Sequence, residues 1–183
     1  MNAFEQAKGI EARALERLLP LIDTKYDRFV LNDKGALAPM LQDIVGDISA
    51  NCENRIIGIE IKAEQHHTGN LFLETWGNRN LDSKSDHAER GSNTGWLFKT
   101  RADLLFYYFL DVDRLYILDM FRLKQWAFGG DGRDSHIYSF KEKPQGKYKQ
   151  GNDTHGRLVP VDTLSRAGII RRTVENIICI AAE

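Results

Sequence analysis

The sequence is short of cysteine and of long apolar runs, and both absences remove classes of protein. Its 2 cysteines, Cys52 and Cys179, are too few for a disulfide framework and lack metal-ligand spacing, which predicts reduced thiols. The longest purely apolar run, 104–110, is far too short to span a bilayer. Glutamates occur near the N-terminus where a secretory signal would be apolar. Together these features predict a soluble, cytoplasmic protein with no membrane partner.

An excess of charge of one sign is also missing. The 25 basic and 26 acidic residues give a formal net charge of -1, which argues against a protein that coats nucleic acid without regard to sequence. A nucleic-acid partner would need a local basic surface. The densest one is formed by Lys141, Lys143, Lys147 and Lys149, and Lys99 and Arg101 are further candidates for phosphate contacts. A plain solvated loop is the alternative for the lysine-rich segment.

The order of apolar patterns predicts the fold class. The length suits a single domain over 1–183. Helical spacing predicts a helix over 4–19 that ends at Pro20, and β-branched runs predict strands in LQDIVGDISA and RIIGIEIKAE, followed by a third strand in NLFLETWGN. After a long polar loop over 79–94 come a short helix in GWLFKT, strands in ADLLFYYFLD and RLYILDM, a helix over 121–128 and a strand in RLVPVDTL. The region 165–183 fits either helix or strand. This order predicts an α/β domain with a mixed β-sheet flanked by helices.

The first predicted hairpin brings acidic and basic residues together. If the polar NCEN segment is the turn, Asp47 lies opposite Gly58, and Asp43, Glu60 and Lys62 project from the same face. Gly58 would then leave space for an ion and a phosphate. A shift of the register by one residue would put the aspartates on the opposite face from Glu60 and Lys62. The hypothesis therefore depends on this pairing.

These residue types suit hydrolysis of a phosphodiester. Two carboxylates, from Asp47 and Glu60, can hold Mg²⁺, which prefers oxygen ligands and keeps several waters. The metal lowers the pKa of a bound water, and a lysine such as Lys62 can accept its proton or stabilise the developing negative charge. The alternative is a solvated strand face with an Asp–Lys cross-strand pair.

The chain at this point resembles the PD-(D/E)XK, or restriction-endonuclease-like, nuclease superfamily, and in particular its small phage and prophage members. Gly46-Asp47 and Ile59-Glu60-Ile61-Lys62 carry the resemblance. It implies a core of helix, three strands, helix and strands, with metal ligation by Asp47, Glu60 and the carbonyl of Ile61, and catalysis by Lys62. Gly46 stands where the proline that names the group would be, so Asp43 remains an alternative to Asp47.

Two further acids and a pair of adjacent histidines are candidates outside this motif. Glu74 shares a strand face with Phe72 and Trp76 and is either an additional metal ligand or an edge-strand glutamate. The resemblance implies that Glu11 of the first helix is a candidate for an additional acid, and the alternative, a surface glutamate of an amphipathic helix, is favoured. His66-His67 is interpreted as a solvated turn, because it lacks the spacing of a zinc site.

The resulting hypothesis is a nuclease that hydrolyses duplex or branched DNA using Mg²⁺ or Mn²⁺, in the bacterial host cytoplasm if the chain is encoded by a phage. One alternative is a catalytically inactive phage accessory protein of the same fold that binds nucleic acid or a host protein. Another is a homodimeric, junction-resolving endonuclease, since cutting two strands favours a symmetric dimer.

Overall fold

The strands that the structure describes pair into one sheet of six strands and one of three. The computed structural model describes residues 3–77, 94–129, 135–145 and 154–177, with side chains from residue 9 onward. Within it the chain divides into two compact units. The first unit comprises Met1–Thr68, Arg101–Met120 and Gly168–Glu183, and the second comprises Gly69–Thr100 and Phe121–Ala167. A single domain over 1–183 stays a prediction.

Helices and strands alternate along the described residues. The α-helices are α1 (Ala3–Lys25), α2 (Ala38–Val45), α3 (Trp96–Lys99), α4 (Met120–Phe128) and α5 (Val161–Arg166), and a short 3₁₀ helix covers Ile137–Ser139. The strands are β1 (Arg28–Leu31), β2 (Ile48–Cys52), β3 (Arg55–Glu64), β4 (Asn70–Trp76), β5 (Leu104–Phe109), β6 (Arg114–Asp119), β7 (Glu142–Pro144), β8 (His155–Pro160) and β9 (Ile170–Glu175).

The first unit is built on a six-stranded mixed sheet with the order β1-β2-β3-β5-β6-β9. Neighbouring strands are antiparallel except β3 and β5, which run parallel. A parallel pair needs a long crossover, and here the chain between Glu64 and Leu104 supplies it. The predicted α/β class with a mixed sheet flanked by helices is confirmed. The restriction-endonuclease-like core stays a prediction.

Strand β4 exists as predicted, but it does not belong to the first sheet. It pairs antiparallel with β8, and β8 pairs with β7, in a three-stranded sheet of the second unit. The prediction of a strand in RLVPVDTL holds for its first residues, whereas Val161 begins helix α5. The ambiguous region after 165 contains strand β9, which pairs with β6. Residues 78–93, which include most of the predicted long loop, lie outside the described residues.

The core of the first unit lies on one face of its sheet. Alternate residues of β3 point into it, and helix α1 covers them with its own apolar stripe. Strand β5 is buried along its whole length, as its continuous apolar run predicts for a strand with neighbours on both sides. The residues at the centre of this core include Ala14, Leu18, Ile22, Ile57, Ile59, Ile61, Phe106 and Tyr108.

Helix α1 extends past Pro20, so the predicted end at that residue is wrong. An internal proline costs a helix about 3 kcal/mol. Ile22 and Tyr26, which follow Pro20, are 0% and 5% exposed. Complete burial of each large apolar side chain contributes about 1.5–3 kcal/mol, enough to offset the proline.

Residues 38–45 form helix α2, so the strand predicted over LQDIVGDISA is wrong in its first half. Ile44 and Val45 suggested a strand, but Pro39 stands at the start of this segment, where proline favours a helix. Asp43 is therefore an exposed residue of α2 and does not belong to a strand face shared with Glu60 and Lys62.

Among the described residues, no helix combines the length and apolar character that a membrane span requires.

The packing of α1 on the sheet leads to a stability test. Leu18→Ala should lower the free energy of unfolding by about 2–5 kcal/mol, because it opens a cavity at a position that is 0% exposed. Leu37→Ala is the control, since Leu37 is 60% exposed and its truncation should change stability by about 0.5 kcal/mol or less. Urea unfolding measures both. Similar losses in the two variants would contradict this arrangement of the core.

Candidate active site

A sharp turn at Gly46 brings the chain from α2 to the sheet. Gly46 has φ of 93° and donates its N–H to the carbonyl of Gln42 at 3.0 Å, which ends the helix. A Cβ at this position would lie 2.6 Å from the carbonyl oxygen of Ile59. Only glycine meets both conditions readily, and proline is confined to φ near −65°. The glycine that departs from the family motif is therefore required by the local geometry.

The hairpin of β2 and β3 has a tighter turn than the NCEN interpretation assumed. Glu53 and Asn54, both with positive φ, form a two-residue turn, and Cys52 pairs with Arg55. Ser49, rather than Asp47, lies opposite Gly58. The predicted register was therefore wrong by two residues. A shift of two preserves the face, so the inference that Asp47 shares a side with Glu60 and Lys62 survives.

The space beside Gly58 is occupied, which corrects the prediction that it receives an ion and a phosphate. A Cβ at Gly58 would lie 2.1 Å from the carbonyl oxygen of Val45. The glycine thus admits the C-terminal end of α2. Its N–H donates to the carboxylate of Asp103 at 2.7 Å, which fixes this part of β3.

Asp47, Glu60 and Lys62 are brought together as predicted. Asp47 lies just before β2, and its Oδ2 accepts the backbone N–H of Ile61 at 2.7 Å. The Lys62 ammonium lies 2.8 Å from Oε1 of Glu60. Glu60 is only 6% exposed, which excludes a solvated strand face for this carboxylate. A buried charge needs partners, and Lys62 supplies one.

Two further contributions to the site had no signal in the sequence. The buried side chain of Asn32 donates to the carbonyl of Gly46 at 2.9 Å, and its backbone N–H donates to the carbonyl of Asp47 at 2.9 Å. On β3 the same polar face continues to Glu64, whose carboxylate accepts the hydroxyl of Tyr107 from β5. Both contacts join segments that are distant in the sequence, so local spacing and residue type do not reveal them.

Burial and like charge act together on Asp47. Its burial raises the pKa of the carboxyl group, the negative charge of Glu60 raises it further, and the outcome is a pKa of about 6. The Lys62 ammonium and the N–H of Ile61 oppose this shift. Glu11 is exposed on α1, as predicted, yet its charge also raises the pKa of Asp47. The site therefore contains more negative charge than it neutralises by itself.

The same surroundings favour the charged form of Lys62. Burial alone would lower the pKa of its ammonium group, but the charges of Glu60 and Asp47 and the hydrogen bond to Glu60 raise it above its usual value. Lys62 therefore carries its proton at neutral pH in the metal-free protein. In that state its side chain is a hydrogen-bond donor and a positive charge, not a base.

The donor set fits a hard divalent cation. Among the residues that the structure describes, no group of three or more His, Cys, Asp or Glu side chains surrounds a common point. Asp47 and Glu60 are a pair of carboxylates in a low-exposure site with a surplus of negative charge. Mg²⁺ in enzymes is commonly bound through one or two carboxylates, with waters and substrate phosphates completing its shell. Asp47 and Glu60 would hold it here, and the resemblance to the PD-(D/E)XK superfamily implies the carbonyl of Ile61 as a further ligand.

The other predicted acid and the histidines have structural partners. Glu74 lies on β4 of the second unit on the half-buried face with Phe72 and Trp76, as predicted, and its carboxylate accepts the N–H of Trp96 at 3.3 Å. His66 is exposed, in line with a solvated turn. His67 is not simply solvated, because its ring packs on neighbouring aromatic side chains and its Nε2 lies 2.9 Å from the hydroxyl of Tyr116.

The predicted nucleic-acid-binding residues are spread over both units. Lys99 is half-buried in α3 of the second unit, and Arg101 is exposed at the start of a first-unit segment. Lys141 and Lys143 are exposed beside and within β7 of the second unit. Lys147 and Lys149 lie outside the described residues.

Comparison of the chain with protein-family models, with curated proteins and with solved structures gives no match. The resemblance to the PD-(D/E)XK superfamily therefore rests on the motif residues and stays a prediction.

The turn at Gly46 can be tested with two glycine substitutions that should change the free energy of unfolding in opposite directions. Gly46→Ala should lower the free energy of unfolding by about 1–3 kcal/mol from backbone strain alone, and the contact with Ile59 adds to that loss. Gly9→Ala should raise it by about 0.5–1 kcal/mol, because Gly9 lies in helix α1 with nothing within 4 Å of a Cβ. Denaturant unfolding measures both. A stabilised Gly46→Ala variant would show that this turn is wrong.

The raised pKa of Asp47 predicts how stability depends on pH without metal. Between about pH 4 and pH 6 the folded protein holds a proton on Asp47 that the unfolded chain releases, so stability falls as pH rises through this window. The Asp47→Asn variant should not show this loss of stability. Above this pH window it should be more stable than the wild type, by about 1.4 kcal/mol per unit of pKa difference.

The measurement is a series of urea unfolding curves from pH 4 to pH 8 in a chelator. Asp43→Asn, which neutralises an exposed carboxylate of α2, is the matched control. An equal pH-dependent gain in both variants would contradict the assignment to the Asp47 environment.

Proposed function

We propose that this protein is a metal-dependent nuclease that hydrolyses phosphodiester bonds in DNA with Mg²⁺ or Mn²⁺. The supporting observation is the pairing of the buried Glu60 carboxylate with Lys62 beside Asp47, whose carboxylate bonds to the strand that carries both. Side chains whose burial and charge neighbours shift their pKa values are frequent at functional sites. A purely structural strand face has no need for two carboxylates whose negative charges act on each other.

Each side chain has a distinct part in the proposed reaction. Asp47 and Glu60 would hold the metal through their carboxylate oxygens, with the carbonyl of Ile61 as the further ligand that the resemblance implies. When bound, the ion lowers the pKa of a water and offsets negative charge on the reacting phosphate. Lys62, which is protonated, donates a hydrogen bond to the negative charge that develops on the phosphate oxygens. The proposal for Lys62 is therefore charge stabilisation rather than proton abstraction.

Contacts to the DNA backbone are proposed for the basic residues outside this site. Lys141 and Lys143 are exposed, and with a net charge of -1 the protein depends on such local patches to attract a polyanion. Backbone contacts of this kind position the protein without reading the base sequence. Arg101 and Lys99 are proposed for the same role, and Lys147 and Lys149 belong to the lysine-rich segment by sequence.

The test is a cleavage assay on labelled linear, nicked, single-stranded and branched DNA with Mg²⁺, Mn²⁺ or EDTA. Asp47→Asn and Glu60→Gln should abolish cleavage, because each removes a metal ligand. Lys62→Ala should slow cleavage by about 10²–10⁴-fold while the protein still binds metal, as measured by calorimetry. Asp43→Asn is the matched control and should cleave like the wild type, because Asp43 is an exposed residue of α2.

The outcomes separate the possible functions. Cleavage that persists in EDTA, or that Asp47→Asn retains after the same purification, would contradict the proposal. Metal-independent DNA binding without cleavage by the wild type would favour an inactive accessory protein.

A further inference from the structure

We propose that Asn32 is the positioning residue of this site and that it holds the Asp47 carboxylate against β3. Asn32 follows the last residue of β1 and is 4% exposed. Its effect on metal binding rests on the nuclease proposal above. Its effect on the orientation of Asp47 is a property of the metal-free protein.

Asn32 holds both peptide groups that flank the Cα of Asp47. Its Nδ2 donates to the carbonyl of Gly46 at 2.9 Å, which belongs to the peptide group before Asp47. Its backbone N–H donates to the carbonyl of Asp47 at 2.9 Å, which belongs to the peptide group after it. With both peptide planes held, the direction of the Cα–Cβ bond of Asp47 is set, and from there Oδ2 accepts the N–H of Ile61 at 2.7 Å.

The preceding glycine makes this restraint necessary. Glycine can adopt many backbone conformations, and Gly46 must hold φ of 93° to keep its close approach to Ile59. A ligand that follows such a residue is poorly oriented unless something else fixes the backbone. The amide of Asn32 acts on the carbonyl of Gly46 itself.

The orientation of the Asn32 amide follows from its partners. The carbonyl of Gly46 can only accept a hydrogen bond, so the NH₂ end of the amide must face it. Oγ of Ser49 lies 3.0 Å from Nδ2 and 3.3 Å from Oδ1, and a hydroxyl can serve either atom. Because the residue is buried, a lost bond here is not replaced by bulk water.

Two substitutions separate positioning from general support of the fold. Asn32→Asp keeps the shape but places a carboxylate oxygen against the carbonyl of Gly46, and Asn32→Ala removes both polar atoms. Asn51→Ala is the matched control, because Asn51 lies on β2 and pairs with Arg28 and Ile56, away from Asp47.

The first readout is the backbone amide proton of Ile61 in the metal-free protein, followed by NMR. We expect its signal to move upfield and its hydrogen exchange to accelerate in both Asn32 variants, because the bond to the Asp47 carboxylate weakens. The second readout is Mn²⁺ affinity by calorimetry at a temperature where each variant is folded. Loss of a group that orients a metal ligand typically weakens affinity by about 10–100-fold, and we expect a loss in this range. Asn51→Ala should leave both readouts as in the wild type.

An unchanged Ile61 amide in a folded Asn32→Asp variant would overturn the proposal, whatever its thermal stability. If the wild type neither binds Mn²⁺ nor cleaves DNA while the Ile61 amide still responds to Asn32, the nuclease proposal fails and the positioning role stands. If both Asn32 variants are unfolded, Ser49→Ala decides the matter. A smaller shift of the Ile61 amide in the same direction supports the proposal, and no shift overturns it.

Discussion

The backbone at Gly46 approaches β3 so closely that no side chain fits between them, and the polar site depends on this contact. A Cβ would lie 2.6 Å from the carbonyl oxygen of Ile59. Helix α2 must end there, the chain must turn with positive φ, and the next residue must face the strand that carries Glu60 and Lys62. The bond from Ile61 to Asp47 then links the start of β2 to β3 beyond the ordinary strand pairing.

The second constraint is electrostatic. Asp47 and Glu60 repel each other, and Lys62 compensates one of the two charges when all three are ionised. Neighbouring carboxylates are costly in a site of low exposure, and the pKa of Asp47 rises accordingly. A protein selected only for stability gains little from such a cluster, since well-packed apolar residues are often at least as stabilising. The surplus of negative charge is instead suited to a cation.

One face of the six-stranded sheet packs in the core, and the other face carries the polar cluster. Ile57, Ile59 and Ile61 of β3 enter the core beneath α1, while the alternating residues Glu60 and Lys62 form the polar cluster. The strand period of two produces this division within a few residues. It also explains why a register error of two residues left Asp47 on the same face as Glu60 and Lys62, whereas an error of one would have separated them.

The sequence by itself determined the α/β class, the hairpin, and the shared face of Asp47, Glu60 and Lys62, because alternation along β3 is a local property of the chain. The sequence pattern predicted a strand over residues 41–45, which are helical, because β-branched residues such as Ile44 and Val45 occur in both helices and strands and only packing decides between them. Pro20 predicted the end of helix α1, but the burial of Ile22 and Tyr26 stabilises a longer helix. The tertiary structure alone decided that β4 joins a second sheet, that Gly58 receives α2, and that Asn32 reaches Gly46 and Asp47. Each of these depends on contacts between residues distant in the chain, for which local propensity and spacing carry no information.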